Sequence, residues 1–287
     1  MRSQVSVIVA GLSLASFVCA APSLESRATS DPSAFPDLQR AAELSSAAYT
    51  GCVGSAFDVT ITKQIYDLAT DTQVPWPGYV GYSTTKKTIA VVMRGSTTAT
   101  DILNDVDTTQ VTPTLAGVSF PSGVTIMNGV YRPWAAVHDE VIAEVQSLIA
   151  QYPGYTLEAT GHSLGGALTY MSYIALAQNF PTKSLRSNAL AAFPIGNLAF
   201  ADFGTAQNGT LIRGNNANDG VPNMYVAAPY NFVHYGIEYY SYGTAATTLK
   251  CSGERDLQCS AGNGMVGVTA GHFSSFGIAL GSAGCGP

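Results

Sequence analysis

The hexapeptide Gly161-His162-Ser163-Leu164-Gly165-Gly166 constrains this chain more than any other stretch of it. Tyr155–Thr160 before it reads as a strand, and Ala167–Met171 after it reads as a helix. A Gly-x-Ser-x-Gly pattern at such a junction makes a sharp, strained turn that lifts the serine hydroxyl above a sheet. Glycines two residues either side let strand and helix approach without Cβ clashes. The N-terminus of the following helix favours negative charge developing beside the serine. The competing reading is a Gly-rich turn with an incidental serine, since the chain has 29 glycines. The flanking strand and helix favour the elbow.

The surroundings suit an α/β architecture. Residues 37–49 read as a helix with Leu38, Ala41, Ala42, Leu44 and Ala48 on one apolar side. Residues 79–82 and 88–94 read as a hairpin, and the continuously apolar Ile89–Met93 suits a strand buried on both faces. Apolar residues at 134, 137, 141, 145, 148 and 149 have helical spacing, and Pro153-Gly154 stops that helix. Residues 189–193 and 210–213 are further candidate strands. The alternation implies a mostly parallel central sheet with helices on both faces, in a single domain over roughly residues 30–287. A hydrophobic share of 46% against 11% charged residues fits a well-buried globular body.

Residues 1–20 read as a signal peptide: Arg2 is the basic start, residues 5–18 are apolar, and Val18-Cys19-Ala20 is a small-residue cleavage site. That apolar run is too short for a membrane span and no later one is longer, so an exported chain without a transmembrane segment is expected. Residues 21–29 read as a propeptide or a frayed terminus. Losing Arg2 moves the net charge from −6 to −7. With no basic cluster, neither nucleic acid nor an anionic membrane is an expected partner. Cys52, Cys251, Cys259 and Cys285 remain, an even count that implies two disulfides with three possible pairings. No Cys-x-x-Cys or His-rich spacing points to zinc, and nothing points to any other metal or to an organic cofactor.

A serine hydroxyl needs a base within hydrogen-bond reach and an acid to orient that base. In elbow hydrolases the chain order is Ser, then Asp or Glu, then His. Of the four histidines, His138 lies upstream on a helix and His162 is turned away by the tight turn, which leaves His234 and His272. His234 sits among tyrosines and suits a structural imidazole; His272, in the Ala270-Gly271-His272-Phe273 loop, is favoured. Asp219, in Asn218-Asp219-Gly220-Val221-Pro222 beyond a strand end, is the leading acid. An Asn-Asp-Gly surface turn is its plain alternative, and Glu238, Glu254 and Asp256 compete with it.

These motifs, together with Arg94-Gly95-Ser96, resemble those of the secreted fungal class 3 lipases, a family of triacylglycerol lipases, mono- and diacylglycerol lipases and a feruloyl esterase branch. The resemblance runs from about Asp37 to the C-terminus. It implies an α/β-hydrolase fold with Ser163 as nucleophile, Asp219 as acid and His272 as base. It also implies oxyanion donors at Ser96 and the Leu164 N–H. Cys52–Cys285 resembles a family bond, and Cys251–Cys259 resembles a short loop bond of the feruloyl esterase branch. Two segments depart from the family pattern, Ile126–Val130 and Ala191–Asn197, and both are expected to be structural supports.

The segment Thr97–Asp107 corresponds to the family lid. Ala99, Ile102, Leu103 and Val106 would line its inner side, while Asp101, Asp105 and Asp107 would face water. So short an apolar face implies weak activation at a lipid–water interface. The expected substrate is an acylglycerol ester, with an aromatic cell-wall ester as alternative because Tyr225–Tyr242 is rich in tyrosine. A monomer is expected.

Overall fold

The computed structural model describes residues 27–65, 78–96 and 106–286. The expected signal peptide and lid residues Ala99, Ile102 and Leu103 lie outside the described residues. The chain opens with strand β1 (Thr29–Ser30) and helix α1 (Phe35–Thr50). Thr29 pairs with Lys250 and the Ala28 N–H donates to Gln258, so the body of the fold starts slightly before residue 30. Helix α1 ends at Gly51, whose φ of 76° closes it in the left-handed region.

Strands β2 (Ser55–Ala56), β3 (Val59–Ile65), β4 (Gly78–Ser83) and β5 (Thr88–Met93) form an antiparallel run. A small ribbon, β6 (Gln110–Val111) with β7 (Ile126–Met127), leads into helix α2 (Asn128–Gln151). Strand and helix then alternate: β8 (Thr156–His162), α3 (Leu164–Asn179), β9 (Leu185–Leu190), α4 (Leu198–Thr205), β10 (Thr210–Asn216) and β11 (Ile237–Ser241). Strand β12 (Leu249–Lys250) returns to the sheet, and β13 (Ser274–Ser275) pairs with β14 (Ile278–Ala279) near the C-terminus.

The main sheet runs β1–β12–β11–β10–β9–β8–β5–β4–β3–β2. Its centre, β5–β8–β9–β10–β11, is parallel, and its margins are antiparallel. Strand β5 shows how both faces are covered. Ile89, Val91 and Met93 pack with α2 and α3, while Ala90 and Val92 pack with α1 on the other side. Every second side chain changes face, so a strand sandwiched between helix layers must be apolar throughout. Arg40 on α1 pins the layers by donating to Asp58 and to Glu158 of β8 at 2.8–2.9 Å.

Two elements differ from the sequence-based expectation. Strand β9 ends at Leu190, not at Phe193. Ala191 turns out of the sheet with φ 49°, and Ala191–Phe193 are buried by packing beyond the strand. Helix α2 begins six residues before Trp134, because Pro133 is accommodated inside the helix near its start instead of breaking it. That start brings the two departures from the family pattern together: the Met127 N–H donates to Ile195 O, and Asn197 holds Thr125 N and Gly123 O. They brace one another, as structural supports should.

Candidate active site

The C-terminal ends of the parallel strands bring the chemistry together. Strand β8 runs into Ser163 at φ 62°, ψ −124°, and α3 starts at the next residue. This conformation is disfavoured for a residue with a side chain and persists only where neighbours fix it. The Ser163 N–H donates to Leu190 O at 3.0 Å and its carbonyl accepts from Ala167 N at 2.9 Å. The glycines are required by close approach: a Cβ on Gly161 would strike Gly165 and the Met93 carbonyl, and one on Gly166 would strike the Leu190 carbonyl. A Cβ on Gly165 would strike the Met93 carbonyl and sit 2.8 Å from the Arg94 carbonyl carbon. The Arg94-Gly95-Ser96 segment therefore passes directly over the start of α3. Ser96 is half-buried at the end of that segment.

Asp219 follows β10. Asn218 before it has φ 65°, which turns the chain so that the carboxylate points inward. His272 lies in a short 3-10 turn, Ala270–Phe273. Its Nδ1 sits 3.0 and 3.1 Å from the two carboxylate oxygens of Asp219. Both residues are buried, as is Ser163. A carboxylate accepts only, so Nδ1 carries the proton and Nε2 keeps its lone pair. Nε2 of His272 and Oγ of Ser163 are buried and have no hydrogen-bond partner among the described residues. Buried polar atoms are normally paired, and unpaired ones mark strain, catalysis or a site for a ligand.

The loops holding Asp219 and His272 are stitched together. Thr269 Oγ1 donates to Asn218 O, Asn216 Nδ2 donates to Gly271 O at 3.1 Å, and the Gly267 N–H donates to Gly220 O at 3.1 Å. Asn263 donates to Asp219 O at 2.8 Å, and Asn223 donates to Ser260 O at 2.8 Å and Met265 O at 3.0 Å. The Cys251–Cys259 bond closes a loop that ends one residue before Ser260, and Cys52–Cys285 ties the end of α1 to Cys285 near the C-terminus. Neither Asn263 nor Asn223 has a local sequence signal for this task, because each works across loops that meet only in the fold.

The competing residues are engaged elsewhere. His234 is buried between Tyr170 Oη at 3.0 Å and Pro222 O at 2.8 Å; burial, then the nearby Arg213 charge, holds its pKa well below the ordinary value. His138 is buried on α2 beside Asp139. Glu238 accepts from Asn215 and Ser260 N, and Asp256 accepts from Ser252 N and Gln258 N. Glu238 also approaches Cys251 and Cys259, but those sulfurs are bonded to each other and offer no thiolate to a metal. Of the segment expected to be a lid, only Val106 and Asp107 are among the described residues: Val106 packs on the core, and Asp107 is exposed while accepting from Thr109 and Asn128.

Of the Tyr225–Tyr242 stretch, Tyr225 and Tyr230 line a cavity with Asn223, Met265 and Val266, and three other tyrosines are engaged elsewhere. Tyr235 donates to Tyr170 O beneath α3, Tyr239 donates to Asp31 at the sheet edge, and Tyr240 packs on Tyr242 and the Cys251–Cys259 loop. Composition alone gave no direction for those rings.

Known proteins share the sequence family and the fold. Residues 90–228 match the family model for lipase (class 3). A secreted alkaline triacylglycerol lipase of Penicillium cyclopium is 67% identical over 279 residues, 97% of this chain and 96% of that one. This chain belongs to the class 3 lipases. Among solved structures of such lipases, a triacylglycerol lipase from Penicillium expansum superposes with a TM-score of 0.87 at 68% identity, covering 90% of this chain and 99% of that one. The Rhizomucor miehei triacylglyceride lipase superposes at 0.76 with 26% identity, covering 90% and 99%. In this class 3 lipase the α/β-hydrolase sheet is therefore the scaffold, and the Ser163, Asp219 and His272 loops crown its C-terminal edge.

Proposed function

We propose that this secreted class 3 lipase hydrolyses acylglycerols with Ser163 as nucleophile, His272 as base and Asp219 as its orienting acid. The observation that carries the reading is the 3.0 Å contact of His272 Nδ1 with Asp219, with His272 Nε2 and Ser163 Oγ both left buried and unpaired. Ser163 Oγ attacks the ester carbonyl carbon as its proton passes to Nε2, and the Asp219 carboxylate stabilises the imidazolium. The tetrahedral oxyanion lies against the Leu164 N–H, at the positive end of α3, and against Ser96. Collapse expels the glyceride alcohol, which takes the proton from His272, and leaves an acyl-enzyme. Water, deprotonated by His272, then releases the fatty acid and restores Ser163.

Supporting a monomer, one chain supplies all three groups. Supporting an acylglycerol over an aromatic ester, a secreted triacylglycerol lipase is 67% identical to this chain, and Tyr235, Tyr239 and Tyr240 of the tyrosine-rich stretch are spent on packing and on the sheet edge. The lid sequence supports weak interfacial activation, so no activity step is expected as a long-chain substrate passes its critical micelle concentration. Rates on tributyrin, triolein, p-nitrophenyl butyrate and methyl ferulate test the substrate class: the glycerides should be turned over and methyl ferulate should not. Ser163→Ala should abolish covalent labelling by an organophosphonate; a labelled variant would mean another nucleophile.

A further inference from the structure

Tyr49, in the last turn of α1, is half-buried, and its hydroxyl has three neighbours. It lies 3.1 Å from His162 Nδ1, donates to His162 O at 3.2 Å, and receives the Gly95 N–H. A hydroxyl donates once and accepts twice, so each neighbour has a role to fill. The approach is close: a Cβ on Gly95 would strike Tyr49 Oη and His162 O. His162 immediately precedes Ser163, and Gly95 immediately precedes Ser96. One oxygen thus joins the two backbone segments whose spacing sets the gap between nucleophile and oxyanion donors.

We infer that Tyr49 is a positioning residue for ester hydrolysis, its hydroxyl fixing the Gly95–Ser96 segment against the Ser163 elbow so that the oxyanion donors are preorganised. This rests on the triad reading above. Oxyanion stabilisation depends on donors already aimed at the developing charge. The hydroxyl touches neither substrate nor reacting atoms, and it acts through the two backbones it holds. Its influence therefore falls on the tetrahedral state and little on ground-state binding.

Tyr49→Phe removes only the hydroxyl. The comparison variant is Tyr79→Phe, which loses a more deeply buried hydroxyl that donates to Leu44 O at 3.0 Å, away from the elbow. With active sites counted by phosphonate titration so that kcat refers to folded enzyme, Tyr49→Phe should lower kcat on dissolved p-nitrophenyl butyrate about tenfold, with KM within about twofold, because one intact donor lost outright costs about 10²–10³. The rate of Ser163 phosphonylation should fall by a similar factor, and Tyr79→Phe should change neither. Equal effects of the two variants on kcat, or a Tyr49→Phe effect confined to KM, would overturn the inference while wild-type labelling at Ser163 left the triad reading standing. Labelling that survives Ser163→Ala would instead remove the triad reading itself.

Discussion

The rings of His162 and His272 lie face to face at a tilt of 38°, their centroids 4.6 Å apart, yet only His272 reaches a carboxylate. The neighbouring ring meets Tyr49 Oη at Nδ1, 3.1 Å away. Burial, then the prospect of a positive His272 beside it, holds the His162 pKa well below the ordinary histidine value. An uncharged neighbour leaves room for charge on the ring that must accept the serine proton. The elbow histidine is therefore a neutral wall of the site, and the proposed base is the ring behind it.

Asp219→Asn should preserve the fold and lose most of the activity. An amide fits the same buried space and can still accept from Val221 N at its oxygen, now held at 2.9 Å by the carboxylate. It cannot stabilise an imidazolium and it can bias the ring to the wrong tautomer. In a triad of this kind such a change costs about 10⁴ in kcat. Steady-state rates with a matched circular dichroism spectrum check this; a loss under tenfold would remove Asp219 from the triad.

Acid should destabilise the protein through His162 and His234. Both are buried and held neutral in the fold, with pKa values well below the ordinary one. Unfolded, each takes up a proton near pH 6.5. Below that pH the unfolded state binds more protons, so unfolding free energy falls as pH falls, by about 1.4 kcal/mol per pH unit for each ring. Above pH 6.5 the two rings add no pH dependence. The urea midpoint should drop between pH 7.5 and 5.5, and His234→Gln should reduce the drop. Identical midpoints at both pH values would contradict the neutral assignment.

Gly165→Ala should damage stability and rate together. The new Cβ would meet the Met93 carbonyl and sit 2.9 Å from Gly95 N, all backbone that cannot rotate aside. Overpacking of this kind costs about 1–3 kcal/mol, and relief requires the oxyanion segment to move off α3. Gly154→Ala is the control, since its Cβ meets nothing within 4 Å. A normal kcat in Gly165→Ala would show that the Gly95–Ser96 spacing is not critical.

Much of this site was legible because short-range patterns carry short-range geometry. The glycine spacing around Ser163 reports a strand–turn–helix collision, and five apolar residues from Ile89 to Met93 report two covered faces. Asp219 and His272 could be ranked by chain order and loop context. What stayed hidden was long-range. Tyr49 is one of 15 tyrosines, and nothing near it in sequence announces the elbow 113 positions away. Asn263 meets Asp219 across 44 positions. The apolar run 189–193 misled because burial beyond a strand end looks the same in sequence as burial within it.

The two disulfides should differ in what they protect. Cys52–Cys285 spans 233 positions and restrains nearly the whole chain, whereas Cys251–Cys259 spans only eight. Loop-closure entropy makes the first worth about 5 kcal/mol and the second about 2.5 kcal/mol in the unfolded state. The short bond, however, anchors Cys259 next to Ser260, which meets Asn223 and Glu238, beside Asn263, which holds the Asp219 backbone. Replacing Cys52 and Cys285 by serine should therefore lower the melting temperature more while sparing kcat at moderate temperature. The Cys251/Cys259 double serine variant should lose less stability but show a several-fold lower kcat. Thermal unfolding and initial rates on both variants check the contrast, and the reverse pattern would mean that the short loop does not support the acid.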